Sequence, residues 1–291
     1  MLYVFLSVCC SVVVSVLLKL ARRYSIDVFQ AITWNYSMAI LLTWIFFKPS
    51  IQNLERAPFA VYLGLGILLP LIFLVMATSV RVAGIVRTDV AQRLSLFIPL
   101  LASFLLFNEP LNTIKIIGMV IGFAAILCSI PWQKKTANRK VFSNAWIYLL
   151  VVFIGLGIID ILFKQIALFK DVAYTTSLFI VYILAFAIAF TGLLYQVITK
   201  KARIFWPHII FGWILGVANF GNILFYLKAH KALSQSPSAV FSAMNIGVIV
   251  VGAFVGLFIF NERLSLLNKI GIGLAIAAII VITYSQTLNA V

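Results

Sequence analysis

A chain of 291 residues that is 64% hydrophobic and only 10% charged cannot be a soluble domain, because soluble domains devote about a quarter of their residues to charge and have no interior for so much apolar surface. Nor does a net charge of +15 point to nucleic acid. The Lys and Arg residues fall mostly in short links between apolar runs, where they set topology and meet lipid headgroups. The pattern is that of an all-α polytopic membrane protein.

Ten apolar runs succeed one another, at about 2–20, 28–47, 59–79, 88–107, 113–130, 145–163, 174–198, 208–228, 238–260 and 268–286. Each suits a helix that crosses ~30 Å of hydrocarbon with all its backbone bonds made internally. The first run starts at Leu2 with no basic stretch before it, which marks a spanning helix and not a cleaved leader. Cys9, Cys10 and Cys128 have no His or Asp at metal spacing and read as small buried hydrophobes. Neither disulfide, metal nor any other cofactor is implied. Lys19 closes the first run. In the second, Asn35 and Tyr36 read as structural. Trp34, Tyr36, Trp44, Trp146, Tyr148, Trp206 and Trp213 lie near span ends, as interface belts do.

Ionisable groups inside apolar runs draw attention because each costs on the order of 2–3 kcal/mol or more unless paired or wet. The fourth run sets Asp89 and Arg93 at i,i+4 with Gln92 on the same face. Pro99, further along it, is expected to kink the helix and free a carbonyl. The sixth run repeats the arrangement with Asp160 and Lys164. Two readings stand for these pairs: salt bridges closed on themselves near the interface with Lys19 and Lys164 snorkelling, or groups that hold a substrate. The eighth run carries Asn219 and Asn222 on one face and His230 two turns on, the last read as interfacial. The ninth offers Ser238, Ser242 and Asn245. Amides here serve either a polar substrate or helix packing. Gly118/Gly122, Gly212/Gly216 and Gly252/Gly256 have GxxxG spacing, within one chain or between two.

A long polar stretch, 133–143, divides the chain into 1–132 and 144–291, and the two parts echo each other. FNEPLNTIKIIGMVIGFAAI, from Phe107 to Ile126, returns as FNERLSLLNKIGIGLAIAAI from Phe260 to Ile279, with nine of twenty positions identical at a constant offset of 153. The same offset sets Asn245 opposite Gln92, and an offset of 145 sets Lys164 opposite Lys19. Five spans per half is an odd number, so the second copy enters the membrane from the opposite side. The fold expected is two inverted five-helix repeats with a site at their seam. Within the motif, Asn108 is read as the cap of the fifth helix, with Glu109 beside its positive end and Pro110 in its first turn. Lys and Arg favour odd-numbered loops by about two to one, which puts those loops in the cytoplasm and both termini outside.

The two NE-x-L…IG segments, at Asn108–Gly118 and Asn261–Gly271, stand after the fourth and ninth spans. In this the chain resembles the ten-helix EamA-like group of the drug/metabolite transporter superfamily. The resemblance implies an inverted-repeat transporter with a central cavity lined by helices 1, 3, 4, 6, 8 and 9. Many relatives keep both termini cytoplasmic, against the charge count here.

The resulting expectation is a secondary transporter that exports a small organic metabolite, such as an amino acid, across a bacterial-type inner membrane. Its site would draw on Lys19, Asp89, Gln92, Arg93, Asp160, Lys164, Asn219, Asn222 and Asn245. The partners expected are the substrate, membrane lipid and a coupling proton or counter-substrate, with no nucleic acid, in a monomer or homodimer. An exporter of hydrophobic, drug-like compounds is the alternative, and a passive channel stands behind it. A membrane-embedded enzyme would need a nucleophile, base or metal cluster within the spans, and no H-E-x-x-H or G-x-S-x-G occurs.

Overall fold

Apolar runs without interior breakers become helices, and polar residues at their ends fix where each starts. The computed structural model describes residues 1–50, 55, 57–109, 112–129, 145–200, 203–260 and 266–288. Among them run eleven helices: α1 (Leu2–Arg23), α2 (Val28–Phe47), α3 (Phe59–Val82), α4 (Ile85–Leu94), α5 (Phe97–Leu105), α6 (Thr113–Ser129), α7 (Ala145–Leu168), α8 (Tyr174–Lys200), α9 (Trp206–Ala232), α10 (Pro237–Phe260) and α11 (Leu266–Leu288). Asp27 starts α2 by accepting from the backbone N–H of Phe29 at 2.9 Å and of Gln30 at 3.3 Å, as an N-cap carboxylate does. Seven of the helices are long and apolar enough to cross a bilayer. Leu105, Ile198 and Phe258 lie more than 70% exposed, a surface that lipid tolerates and water does not.

α4 and α5 divide one expected span, and the cause is Pro99. A proline cannot donate to the carbonyl four residues back and its ring crowds that group; here the group is Ser95, where the helix breaks. The freed carbonyl takes the N–H of Ile98 instead, at 3.1 Å. The Ser95 hydroxyl donates to the Gln92 carbonyl at 2.6 Å.

Packing partners exchange between the halves. α1 lies on α9 and α10, and α7 on α3, α4, α9 and α5; α2 lies on α8 and α9, and α8 on α2 and α3; α6 and α11 pack on each other. Small residues allow these contacts. A Cβ on Gly212 would meet the Ala31 carbonyl oxygen and the Trp34 Cβ at 2.7 Å, and one on Gly216 would meet the Asn35 carbonyl oxygen and the Met38 Cβ at 2.7 Å. This GxxxG pair therefore works within the chain, joining α9 to α2. Gly66 on α3 stands likewise against Leu184 of α8, and Gly118 and Gly122 stand against Ile282 and Ile246. Gly252 approaches nothing within 4 Å.

The core runs through both halves, with Tyr36, Tyr62, Leu65, Phe163, Tyr182 and Phe241 buried in one cluster. Tyr36, expected in an interface belt, is instead fully buried. The belt reading suits Trp44, Trp146, Trp206 and Trp213, all exposed. Cys9, Cys10 and Cys128 are free and partly buried.

Candidate functional site between the halves

At one end of the bundle, the segment after α5 meets the ends of α7 and α9 and the start of α10. Asn108 adopts a left-handed φ of 50°, a conformation that asparagine tolerates better than most residues. It does not cap α6: Asn112 does, accepting from the Ile114 N–H at 2.9 Å. Glu109 is turned elsewhere. Its carboxylate takes Lys115 Nζ at 2.5 Å, the Ser238 hydroxyl at 2.6 Å and the Ser238 backbone N–H at 2.9 Å. Glu109 thus sits at the positive end of α10, in the opposite half of the chain. Glu109 is 5% exposed and Lys115 is fully buried, so the pair is held by bonds that offset its desolvation. The repeat's second glutamate, Glu262, lies outside the described residues.

A ladder of two rungs joins α7 to α9 beside this knot. Asp160 and Lys164 are one turn apart on α7, and Tyr226 and His230 are one turn apart on α9. In the first rung the Tyr226 hydroxyl donates to Asp160 Oδ1 at 2.9 Å. In the second, Lys164 Nζ donates to the His230 carbonyl at 3.4 Å and to the Ser234 carbonyl at 3.1 Å. The expected Asp160–Lys164 ion pair is therefore not formed. The ammonium is drawn to the orphan carbonyls and negative dipole end of α9. Nor does Lys164 snorkel, being fully buried with its Nζ 6.0 Å from the centre of the Phe107 ring. Phe107 also lines an open cleft of ≈ 320 Å³ with Pro58, Val61, Gln165, Leu168 and Phe169.

His230, read from sequence as interfacial, is buried completely. Its ring lies 4.6 Å from that of Tyr226 and 4.7 Å from that of Phe241, centre to centre. Neither ring nitrogen has a hydrogen-bond partner.

The other expected site residues do not gather here. Lys19 is exposed near the end of α1, at the opposite end of the bundle from Lys164. Gln92 is exposed and Arg93 partly buried in the last turn of α4; the Asp89 side chain lies outside the described residues. Asn219 is buried on α9. Asn222 takes the Ser7 hydroxyl on its side-chain and main-chain oxygens, at 2.8 and 2.9 Å, which joins α9 to α1. Asn245 donates to the Phe241 carbonyl of its own helix at 3.1 Å. Sequence reasoning passed over Lys115 and Tyr226. A lone cation at the start of an apolar run announces its need for a counter-charge, so Lys115 was within reach. A tyrosine in such a run announces nothing.

Comparison with known proteins agrees with this architecture. Residues 1–130 match the model of the EamA-like transporter family. A protein of Haemophilus influenzae, described as uncharacterized, is 42% identical over 287 residues, which cover 96% of each chain. A crystal structure of another protein has the same fold, with a TM-score of 0.74 over 97% of this chain and 96% of that one, at 11% identity. The chain belongs to the EamA-like transporter family, integral membrane proteins that carry small molecules.

Proposed function

We propose that the protein is a secondary active transporter that exports a small organic metabolite, such as an amino acid, across a bacterial-type cytoplasmic membrane. Two five-helix repeats of inverted sense rock about a central site, coupled to a proton or counter-substrate. One observation carries this reading: charged side chains of each half reach the other. Glu109 ends on Ser238, and Lys164 lies over Phe107. The exchange of packing partners, α1 on α9 matched by α7 on α3 and α2 on α9 matched by α8 on α3, supports a two-fold relation between the repeats. Lys19, Asp89, Gln92, Arg93, Asp160, Lys164, Asn219, Asn222 and Asn245 are the substrate-site candidates, with Asp160 foremost. The excess of Lys and Arg in odd-numbered loops supports an arrangement with both termini outside.

Counterflow in proteoliposomes tests the reading. Vesicles preloaded with amino acids, nucleosides, organic anions or cationic drugs are expected to take up labelled compound saturably for one class. Unsaturable, potential-driven conductance would make the protein a channel instead.

A further inference from the structure

We infer that the end of the bundle where α1 closes and α2 and α9 open binds the phosphodiester headgroup of an anionic phospholipid, with Arg23 and Arg203 as its principal contacts. The site belongs to the membrane-facing rim of the protein and goes beyond the transporter reading.

Side-chain contacts fix the register of the helices that meet there. α1 runs antiparallel to α9: Lys228 Nζ lies 5.8 Å from the centre of the Tyr3 ring, Ser7 donates to Asn222 at 2.8 Å, and a Cβ on Gly221 would stand 3.0 Å from Cys10 Sγ. α2 runs parallel to α9, with Gly212 against Ala31 and Gly216 against Asn35. At equal rise per residue, Arg23 and Asp27 both come level with the first turn of α9. α8 arrives at the same end, since Gly192 stands against Phe29. The buried Gln30 closes the join: its Nε2 donates to the Arg203 carbonyl at 2.9 Å and to Asp27 at 3.4 Å. Arg203 therefore enters α9 from a backbone fastened to α2, and the side chains of Arg23 and Arg203 are both exposed.

Positive charge collects here. The apolar spans of α1 and α8 stop at Ala21 and Thr199, and that of α9 starts at Trp206, so Arg22, Arg23, Lys200, Lys201 and Arg203 all fall just outside them. The one acid in these two links is Asp27, and its carboxylate already accepts the N–H groups of Phe29 and Gln30. Basic side chains clustered at the edge of hydrocarbon attract anionic lipid, at roughly fivefold in affinity per charge. Arginine adds paired N–H groups that match two phosphate oxygens. The neighbouring side chains favour a lipid over a soluble phosphate. Tyr24, Ile204, Phe205 and Trp206 are exposed, Trp206 by 70%, and aromatic rings of this kind settle at the headgroup level of a bilayer. The patch is thus cationic toward water and apolar toward the acyl chains, as an anionic lipid requires.

Delipidated protein in detergent is titrated with dioleoyl phosphatidylglycerol, dioleoyl phosphatidylcholine or inorganic phosphate. Binding is read by native mass spectrometry and by the shift in melting temperature. Phosphatidylglycerol is expected to bind more tightly than phosphatidylcholine and to raise the melting temperature, which inorganic phosphate leaves unchanged. Arg23→Gln and Arg203→Gln should each weaken phosphatidylglycerol binding roughly fivefold without altering phosphatidylcholine binding. Lys134→Gln/Lys135→Gln removes two charges from the long polar stretch instead and should keep the preference. Melting in phosphatidylcholine separates a lost headgroup contact from a damaged fold; where Arg203→Gln melts low, Arg23→Gln alone reads the site. Equal binding of the two lipids, equal stabilisation by inorganic phosphate, or a loss in Lys134→Gln/Lys135→Gln as large as in Arg23→Gln/Arg203→Gln overturns the inference. Failure of counterflow for every compound would overturn the transporter reading and leave the lipid titration standing.

Discussion

Replacing Glu109 by glutamine keeps the shape of the side chain and removes its charge. The wild-type carboxylate accepts from Lys115 Nζ, the Ser238 hydroxyl and the Ser238 N–H, with both ionic partners out of water. Glutamine offers one acceptor oxygen and a donor amide to a site that presents only donors. Removing one member of a buried ion pair costs about 3–5 kcal/mol, because the survivor is left charged and unpaired. Loss of negative charge at the start of α10 adds about 0.3–1 kcal/mol. Removing both charges together should restore much of this, since apolar groups of similar volume often replace a buried pair without loss. Thermal unfolding in detergent, followed by tryptophan fluorescence, is expected to rank wild type first, Glu109→Gln/Lys115→Met close behind and Glu109→Gln well below. If the single variant melts with the wild type, or the double variant melts no higher than the single, the pair is not the buried bond described.

Gly212→Leu should destabilise the bundle by roughly 1–3 kcal/mol or prevent its assembly, because a Cβ there already meets the α2 backbone at 2.7 Å; Gly252→Leu, facing open space, serves as the tolerant control in the same melt. His230→Phe should raise stability by about 1–3 kcal/mol, the penalty of burying polar nitrogens that lack partners, and a lower melting temperature would show that the imidazole is bonded after all. A double-mutant cycle on Ser7→Ala and Asn222→Ala should give a coupling energy of about 0.6 kcal/mol, as for other hydrogen bonds between membrane helices; zero coupling would remove this bond from the α1–α9 contact. Arg93→Ala should abolish uptake of an anionic substrate while leaving membrane insertion intact, and wild-type transport would make Arg93 structural.

Local rules made much of the fold legible. All-round apolarity located the spans, and Pro99 announced a break whose position, four residues earlier at Ser95, follows from its missing N–H. The duplicated motif drew attention to Glu109 but not to its partner. Ser238 is 129 residues away, and nothing near Asn108 distinguishes a carboxylate that caps its own helix from one that caps another. Lys164 misled for a related reason. Its i,i+4 spacing from Asp160 is a property of one helix, whereas the carbonyls at the end of α9 enter only once α7 and α9 are packed. His230 was placed at the interface because polar residues near a span end usually stay wet. Its burial depends on Tyr226 and Phe241 closing over both faces, one of them from the following helix.

The backbone-close seam of α2 on α9, with Gly212 and Gly216 admitting Ala31 and Asn35, bears on what counts as a working part. Helices fastened that tightly travel together, although one precedes residue 133 and the other follows residue 143. The packed bundle is consequently woven from both sequence halves, and neither fragment produced by severing the chain between them owns a whole seam. Separately synthesised, each would be an unfinished object with its glycine groove or its matching ridge bare to lipid. Produced in the same cell, the two should find each other and restore the carrier.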